Sequence, residues 1–548
     1  MRNEAPSMKR TYVATTIVGA VLLLSNQVFA EEDNPGKQEL HARAVAESLV
    51  PVRPGLPAEK HFWNRYSERF IYAPAFDIDA DPRRQVRYYR FTVHSEDNPK
   101  DYVFEARYPW ASLAPIWKDL PPGNWHLKVE SLGGKGGEPL REVGERDFFR
   151  ASVFKGPYGR PVRPYTASGR WALEFQLKQE HYQAWKKGKP GDYLLNCYPA
   201  RMFGSVIKGM ARYAQLTPRP EDADEALEVA ENCARYLIKT SQPAGSAFEY
   251  FPPNYDDNHP TAKARAHWWK KNAMGKIMVG FPAEVGSAYL DLYDATGKKD
   301  YLDAAKRIAD TYKKHQLPSG SWYLKAHLDT GEPVAPNILI PSRTIILLDR
   351  LVDQYEERQY SDALVRALRW TLDNPCRTFR WEGQAQDLPP SLGYSNLGAF
   401  LCPPEFASYL FANAADNPEY VALGEEVVRF VEDQFVIWEK PTLRWDNAAI
   451  PCVVEQYWCY HPLDLSAAVL IISWAKAYEH TGNRLYLEKA KSIANTQTVV
   501  QDQKTGKYPT RWYTDGTFSD RQWDMCATEA AVAMIEFGEF LGSLIKKQ

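Results

Sequence analysis

The stretch YDATGKKDYLDAAKRIA at residues 293–309 returns 185 residues later, at 478–494, as YEHTGNRLYLEKAKSIA. Each copy ends one helical pattern, turns at Thr-Gly, and starts a second pattern whose apolar residues share one face of a helix. Gly297 and Gly482 suit the left-handed residue that stops an α-helix. The repeat therefore predicts a unit of two antiparallel helices, which buries its apolar face only against neighbouring units.

Weaker copies of the same junction occur at 210–233, 351–367 and 409–428. Four second helices begin at a tyrosine, spaced by 59, 60 and 66 residues: Tyr301, Tyr360, Tyr420 and Tyr486. A sixth pair can combine a helix before Gly191 with the C-terminal helix, 526–545. Six pairs predict a closed (α/α)6 toroid over residues 191–548, with the two strongest copies on opposite sides of the ring. The alternative is an open helical scaffold for protein binding.

Residues 49–155 follow a different pattern, in which apolar and polar residues alternate. Runs typical of half-buried strands lie at 70–72, 86–93, 102–108 and 125–130. Several short strands separated by turns predict a β-sandwich. The spacing of Pro109-Trp110, Trp117, Leu120-Pro-Pro-Gly and Trp125 resembles a fibronectin type III module, which implies two packed sheets. Residues 156–190 are expected to form a linker and a first helix.

The N-terminus has the features of a secretory signal. Lys9-Arg10, an apolar stretch and a Val-Phe-Ala site ending at Ala30 predict removal of residues 1–30, with 31–48 left as a flexible segment. Later apolar runs are too short to span a membrane. We therefore expect an exported protein, periplasmic or extracellular.

Charge and cysteine content narrow the function classes. The formal net charge is −2 and no basic stripe appears, which argues against a nucleic-acid partner. The seven cysteines have no metal-site spacing, so most are expected to be buried apolar residues, with one disulfide possible. No cofactor and no metal are predicted. The oligomeric state is left open.

Aromatic residues are abundant, with 17 Trp and 32 Tyr. In a toroid of helix pairs, the loops that lead from outer to inner helices line one mouth of the ring, and several of these loops carry aromatics. Exposed aromatic planes could stack on sugar rings, although Trp also fills the cores of large helical proteins. The substrate-binding candidates in these loops are Tyr255, Asp256, Trp322, Trp381, Trp445, Tyr457 and Trp512.

Carboxylates in the same loops could carry glycoside hydrolysis, which needs one protonated and one ionised carboxyl group beside the bond. The preferred candidates are Glu382, Asp387 and Glu455, with Asp446, Asp256 and Asp257 as reserves. Glu382 follows Trp381, whose apolar surface is expected to raise the pKa of the carboxyl group. Any one of these loop carboxylates could instead cap a helix or remain a solvated charge.

A second chemistry would use other residues of the same mouth. Lyases and C5-epimerases of uronic-acid glycans remove a proton beside a carboxylate with Tyr or His, while Arg or Asn neutralises that carboxylate. The residues that fit these roles are Tyr460, His461 and Arg511, with Arg380 and Asn396 as additional members. A third reading is a glycan-binding protein without catalysis.

The helical region as a whole, about residues 190–545, resembles the six-hairpin (α/α)6 toroid enzymes of carbohydrate breakdown. The resemblance rests on the Tyr-x-x-Thr-Gly-x-x-x-Tyr-Leu-x-x-Ala-x-x-Ile-Ala hairpin and the Gly-x-Trp/Tyr loop after it. It implies an enzyme acting on a polysaccharide or oligosaccharide, but it carries over no catalytic residue. The sequence thus favours an exported glycoside hydrolase with paired carboxylates, built from a fibronectin-like β-sandwich and a toroid.

Overall fold

The computed structural model describes residues 36–52, 67–189, 197–384, 398–399, 402–440, 447–457, 460–517 and 522–547. The expected signal, residues 1–30, lies outside these ranges, as do four candidate residues: Asp387, Asn396, Trp445 and Asp446. Within the ranges, no helix combines the length and the apolar character needed to cross a membrane.

Helices dominate the described chain. In order they are α1 (Lys37–Ser48), α2 (Ala114–Trp117), α3 (Tyr165–Leu177), α4 (Glu180–Lys186), α5 (Pro199–Leu216), α6 (Pro220–Thr240), α7 (Pro260–Ala264), α8 (Ala266–Asn272), α9 (Phe281–Thr296), α10 (Lys299–His315), α11 (Ser342–Asp353), α12 (Ser361–Asp373), α13 (Pro375–Thr378), α14 (Pro403–Ala412), α15 (Glu419–Phe435), α16 (Asp464–Thr481), α17 (Arg484–Val500) and α18 (Asp524–Lys547).

Six helices form an inner ring, each packed on the next in the order α5, α9, α11, α14, α16 and α18, and α18 closes the ring against α5. Each inner helix packs on one outer helix: α6, α10, α12, α15, α17 and α3 respectively. The prediction of an (α/α)6 toroid is confirmed, and the open scaffold is wrong. The sixth pair joins α18 to α3, a helix from the segment before Gly191.

The repeated hairpins form as their sequences predict. Gly297 and Gly482 adopt φ values of 69° and 65° and stop α9 and α16, where only a residue that tolerates the left-handed region avoids strain. On α10 the buried residues include Tyr301, Ile308 and Tyr312, which lie on one face. The α9–α10 and α16–α17 pairs are three units apart, and therefore face each other across the ring.

Gly169 lies where the outer helix α3 packs closely on the inner helix α18. A Cβ atom there would lie 2.3 Å from the carbonyl oxygen of Ala531 on α18. Gly169→Ala must push α3 away from α18, and we expect a loss of about 1–3 kcal/mol in the free energy of unfolding. Urea denaturation measures this loss in the free energy of unfolding. Gly542→Ala, on α18 with open space around it, is the control and should be neutral or stabilising; equal losses would contradict the packing account.

The N-terminal unit contains one five-stranded sheet. Its strands are β1 (Arg69–Phe70), β2 (Tyr88–Ser95), β3 (Asn98–Ala106), β4 (Gly123–Leu132) and β5 (Pro139–Arg150), in the order β1-β5-β4-β2-β3. Strand β1 runs parallel to β5, and the other neighbours are antiparallel. Alternate residues of β2 and β4 are buried, as the alternating sequence predicts.

The prediction of a fibronectin type III β-sandwich is not confirmed. The buried face of the sheet packs on a short helix and a loop, not on a second sheet. The ring centroid of Phe148, in β5, lies 6.0 Å from that of Trp117, in α2, and 5.7 Å from that of Phe76. Large aromatic side chains from the connecting segments thus supply the cover that a second sheet would give.

Helix α1 and Tyr72 connect the N-terminal unit to the toroid. Lys489 of α17 is 1% exposed, and its ammonium group pairs with Glu432 of α15 at 2.6 Å and with Glu47 of α1 at 2.5 Å. The Tyr72 hydroxyl donates to Glu432 at 2.9 Å. Burial raises the pKa of Glu432, and the Lys489 charge opposes that rise. This buried acid–base cluster fixes α1 and residue 72 against the ring.

Candidate active site

Every inner helix begins, and every outer helix ends, at the same end of the ring. This end is the mouth. The opposite end carries short turns such as those at Gly297 and Gly482. Short strand pairs and isolated bridges order the mouth loops, among them β6 (Lys276–Met278) with β7 (Lys325–His327), and β8 (Val436–Ile437) with β9 (Cys452–Val453). The mouth is therefore a surface of paired, ordered loop segments.

Charged side chains face the axis of the ring just below the mouth. Arg343, in the first turn of α11, donates to both carboxylate oxygens of Glu405 at 2.7–3.0 Å and pairs with Glu284. One turn deeper, Lys208 pairs with Glu529 at 2.8 Å. These residues come from five different inner helices. Inner helices with apolar outer faces and polar axial faces produce this arrangement.

A small sheet of loop segments lies beside the start of α16. Val454 pairs with Pro462, and Leu463 pairs with Arg511, both antiparallel. In these registers Glu455 stands opposite His461, and His461 stands opposite Tyr513. Directly opposed residues point to the same face of a sheet, with Cβ atoms about 4.5–5.5 Å apart.

Arg511 lies on this same face as well, because alternate residues of a strand share a face and Arg511 is two residues from Tyr513. One surface therefore carries a carboxylate, an imidazole, a phenol and a guanidinium. We call Glu455, His461, Arg511 and Tyr513 the mouth cluster. Its members come from the loops after α15 and α17.

Glu455 is 6% exposed at the bottom of this face. Its Oε2 lies 4.0 Å from Nη2 of Arg511, and its Oε1 accepts a hydrogen bond from Nε2 of Gln456 at 3.3 Å. The Arg511 guanidinium lies 5.4 Å from the centre of the Trp523 ring, which supports it from one side. Arg511 thus provides a positive charge close to the Glu455 carboxylate.

His461 shares a hydrogen bond between its Nδ1 and the Tyr513 hydroxyl. Burial lowers the pKa of His461, and the positive charge of Arg511 lowers it further. The imidazole is therefore neutral around neutral pH and can accept a proton. Burial also raises the pKa of Tyr513 to about 12, so the phenol keeps its proton.

Asp464, the first residue of α16, lies behind the mouth cluster and is completely buried. Its Oδ1 accepts a hydrogen bond from the Leu465 amide at 2.8 Å, and its own amide donates to the Thr510 carbonyl at 3.1 Å. Burial raises its pKa well above the usual range, and the nearby Glu455 adds to the rise. Asp464 thus supports the cluster as a neutral acid without facing the mouth.

Tyr460 and His461 do not act at one place, contrary to the expectation for a Tyr460–His461–Arg511 group. Neighbouring residues of an extended segment point to opposite faces. The Tyr460 hydroxyl donates to the Gln434 carbonyl at 2.8 Å, and the Tyr457 ring stacks on the Tyr460 ring with centroids 5.9 Å apart. Tyr457 and Tyr460 therefore face α15 and the N-terminal unit.

Glu382 lies on the connection from α12 to α14. Another residue of this connection, Ala399, contacts the mouth cluster, since its amide donates to the Glu455 carbonyl at 2.9 Å. Burial raises the pKa of Glu382, and Arg380 opposes the rise only weakly, since its side chain is exposed. The expected direction of this pKa shift is confirmed.

Four of the aromatic candidates are buried instead of forming exposed planes. Trp322, Trp381 and Trp512 are at most 1% exposed and belong to the core of the mouth loops. A ring that is covered on both faces cannot stack on a sugar, so the stacking prediction is wrong for these three. Tyr255 is also buried, against Trp269 at 5.6 Å, and Asp256 is half-buried in a turn, where it accepts the Asn258 amide.

The described ranges hold no group of three or more His, Cys, Asp or Glu side chains that could bind a metal ion. The cysteines in these ranges carry free thiols: Cys197, Cys233, Cys376, Cys402, Cys452 and Cys526. All but Cys402 are buried, as expected for cysteines that serve as apolar residues.

Several residues of the site were not predicted from the sequence. Tyr513 stood next to two candidates, Arg511 and Trp512, and the period of two in a strand could have selected it. Glu405 also carried a signal, because it is the only charged residue of an otherwise apolar helix. Asp464 carried no signal of its own, since an acid at a helix start is usually a cap.

Comparisons with known proteins find no matching protein family and no curated relative. Similar solved structures include a cellobiose 2-epimerase from Spirochaeta thermophila, 13% identical with a TM-score of 0.48, covering 70% of this chain and 99% of its own. A family 76 glycoside hydrolase from a bovine Bacteroides thetaiotaomicron strain is 11% identical with a TM-score of 0.47, covering 84% and 93%. An unsaturated glucuronyl hydrolase specific for heparin is 12% identical with a TM-score of 0.43, covering 70% and 97%. Similarity at this level decides neither reaction nor substrate.

Proposed function

We propose that this chain is an exported carbohydrate-active enzyme, a glycoside hydrolase that cleaves a polysaccharide or oligosaccharide at the mouth of the toroid. In this proposal Glu382 is the proton donor to the glycosidic oxygen. Glu455 is the ionised carboxylate, acting as base or nucleophile. Export rests on the signal-like segment at residues 8–30.

The observation that carries the proposal is the contrast between two carboxyl groups on neighbouring loops. Glu382 is half-buried with a raised pKa, which keeps its proton available, whereas the Glu455 carboxylate has the Arg511 guanidinium 4.0 Å away as a counter-charge. Hydrolysis of a glycosidic bond requires this division into an acid and a base. The polar axial floor around Arg343 offers hydrogen-bond partners to sugar hydroxyls.

Glu382→Gln tests the proton donor. The amide keeps the shape of the side chain but cannot give up a proton, so we expect kcat to fall about 10²- to 10⁴-fold while substrate binding persists. Release of reducing ends measures kcat, and calorimetry measures binding. A substrate with an activated leaving group needs little protonation and should recover much of the rate. Unchanged turnover of the natural linkage would remove Glu382 from this role.

A second candidate function is favoured by the position of His461. A neutral imidazole directly opposite Glu455 and beside Arg511 could remove the proton next to a uronic-acid carboxylate, as in a lyase or C5-epimerase. Arg511 would neutralise the substrate carboxylate. His461→Gln would then abolish activity, whereas the hydrolase reading predicts a smaller effect. A chain that binds glycans without turnover would support the third reading, a non-catalytic binding protein.

A further inference from the structure

The run Glu432-Asp433-Gln434-Phe435 ends α15 and lies between the N-terminal unit and the loop of the mouth cluster. Asp433 Oδ1 accepts hydrogen bonds from the amides of Ile71 and Tyr72 at 2.7 and 2.8 Å. One residue later Gln434 begins to contact the loop, and the carbonyl of Phe435 accepts the Val454 amide at 2.9 Å. A short segment therefore touches both partners in turn.

Gln434 has the central place in these contacts and is 1% exposed. Its Oε1 accepts hydrogen bonds from the hydroxyls of Ser67 and Tyr457, and these two hydroxyls lie 2.8 Å apart. Its Nε2 donates to Asp433 Oδ2 at 2.5 Å, and its backbone carbonyl accepts the Tyr460 hydroxyl. The side chain of Gln434 thus joins Ser67 of the N-terminal unit to Tyr457, and its backbone holds Tyr460.

The two tyrosines bracket the part of the loop that returns to the mouth. Tyr457 follows Glu455 by two residues, and Tyr460 directly precedes His461. Tyr457 lies at a bend just after the strand segment, and tethering both hydroxyls to Gln434 holds the two ends of this turn against α15, which we expect to keep Glu455 and His461 in register. A slip of one residue would turn both side chains away from Arg511.

We propose that Ser67 and Gln434 are positioning residues of the active site, so that the N-terminal sheet unit is a working part of the catalytic machinery rather than a separate binding module. The inference rests on the proposed function for its effect on turnover. Its geometric content, a loop held in register from behind by residue 67, stands without it. Part of the support for Glu455 therefore comes from outside the toroid.

Ser67→Ala removes one hydroxyl and leaves the backbone and Gln434 in place. We expect kcat to fall about 10- to 100-fold with KM within about twofold, because small misplacement of a reacting group costs rate more than binding. Tyr457→Phe should have a similar effect. The double variant should be hardly worse than either single one, since both act through Gln434.

Ser152→Ala is the matched control. It removes another hydrogen bond between the N-terminal unit and the toroid, from Ser152 to Glu439 at 2.5 Å, at the start of the same loop but without Gln434, Tyr457 or Tyr460. Its kcat should stay within about twofold of the parent. Equal losses in Ser67→Ala and Ser152→Ala would show general docking and overturn the proposal. A rise in KM at unchanged kcat would also overturn it, because it would make Ser67 a substrate contact.

Amide hydrogen exchange separates this inference from the proposed function. In peptides that cover residues 447–457, Ser67→Ala should exchange at least about tenfold faster than the parent, and Ser152→Ala should not. If no glycan is turned over but this difference appears, the hydrolase proposal fails and the positioning role stands. If turnover is found but exchange and kcat are unchanged in Ser67→Ala, the positioning role fails and the hydrolase proposal stands.

Discussion

Glu455→Gln is expected to lower kcat/KM about 10²- to 10⁴-fold without unfolding the protein. The amide fills the same space and can still contact Gln456, but it can neither accept a proton nor attack a sugar carbon. Arg511, which lies 4.0 Å away, would lose its counter-charge at the mouth. Release of reducing ends measures the loss, and circular dichroism checks the fold.

The control for this variant is Glu249→Gln. Glu249 also lies on a loop after an outer helix, but it pairs with Lys314 at 2.9 Å, away from the mouth cluster. The kcat/KM of the Glu249→Gln protein should equal that of the parent. If Glu455→Gln retained parental kcat/KM, the reaction centre would have to lie elsewhere, and the carboxylates Glu284 and Glu405 on the axis would be the next residues to replace.

Lys489→Met is expected to destabilise the protein by about 3–5 kcal/mol, the usual cost of leaving buried charges without a partner. The change removes the ammonium group that pairs with both carboxylates, so Glu432 and Glu47 are left close together in the interior without it. The pKa of Glu432, already raised by burial, would rise further. Its protonation removes the unpaired charge, so the loss should be smaller at acidic than at alkaline pH. Urea denaturation at two pH values measures both effects.

Lys491→Met is the control on the same helix. Lys491 pairs with Glu488 at 3.1 Å, but its side chain is 30% exposed, so its removal should cost at most about 1 kcal/mol. Adding Glu432→Gln to Lys489→Met should restore part of the lost stability. A Lys489→Met protein as stable as the Lys491→Met protein would mean that the buried cluster does not hold α1 and α15 together.

The toroid could be predicted because its information is local and repeated. The Thr-Gly turns and the apolar spacing after Tyr301 and Tyr486 determine helix ends and buried faces within a few residues, and repetition multiplies a weak signal. The order of the ring followed from counting units. The sheet was predicted from alternation alone, which gives strands but not what covers them. Aromatic residues such as Trp117 and Phe76 took the place of a second sheet.

The site could be predicted only in part, because it depends on pairing between distant segments. Glu455, His461 and Arg511 were chosen as chemical types in loops at one mouth. That Glu455 opposes His461, that His461 opposes Tyr513, and that Tyr460 faces the other way are matters of strand register, which no local pattern indicates. The burial of Trp322 and Trp512 has the same origin, since a loop aromatic becomes a core residue when another loop closes over it.

The most direct measurement is a screen of the purified mature protein against neutral and uronic-acid polysaccharides and oligosaccharides, following reducing ends and the ultraviolet absorbance of unsaturated products together. We predict that reducing ends rise on at least one substrate without absorbance, and that Glu455→Gln abolishes the rise. Absorbance that rises with the reducing ends would contradict hydrolysis and establish a lyase. Binding without either signal, in parent and variant alike, would contradict an enzyme at this mouth.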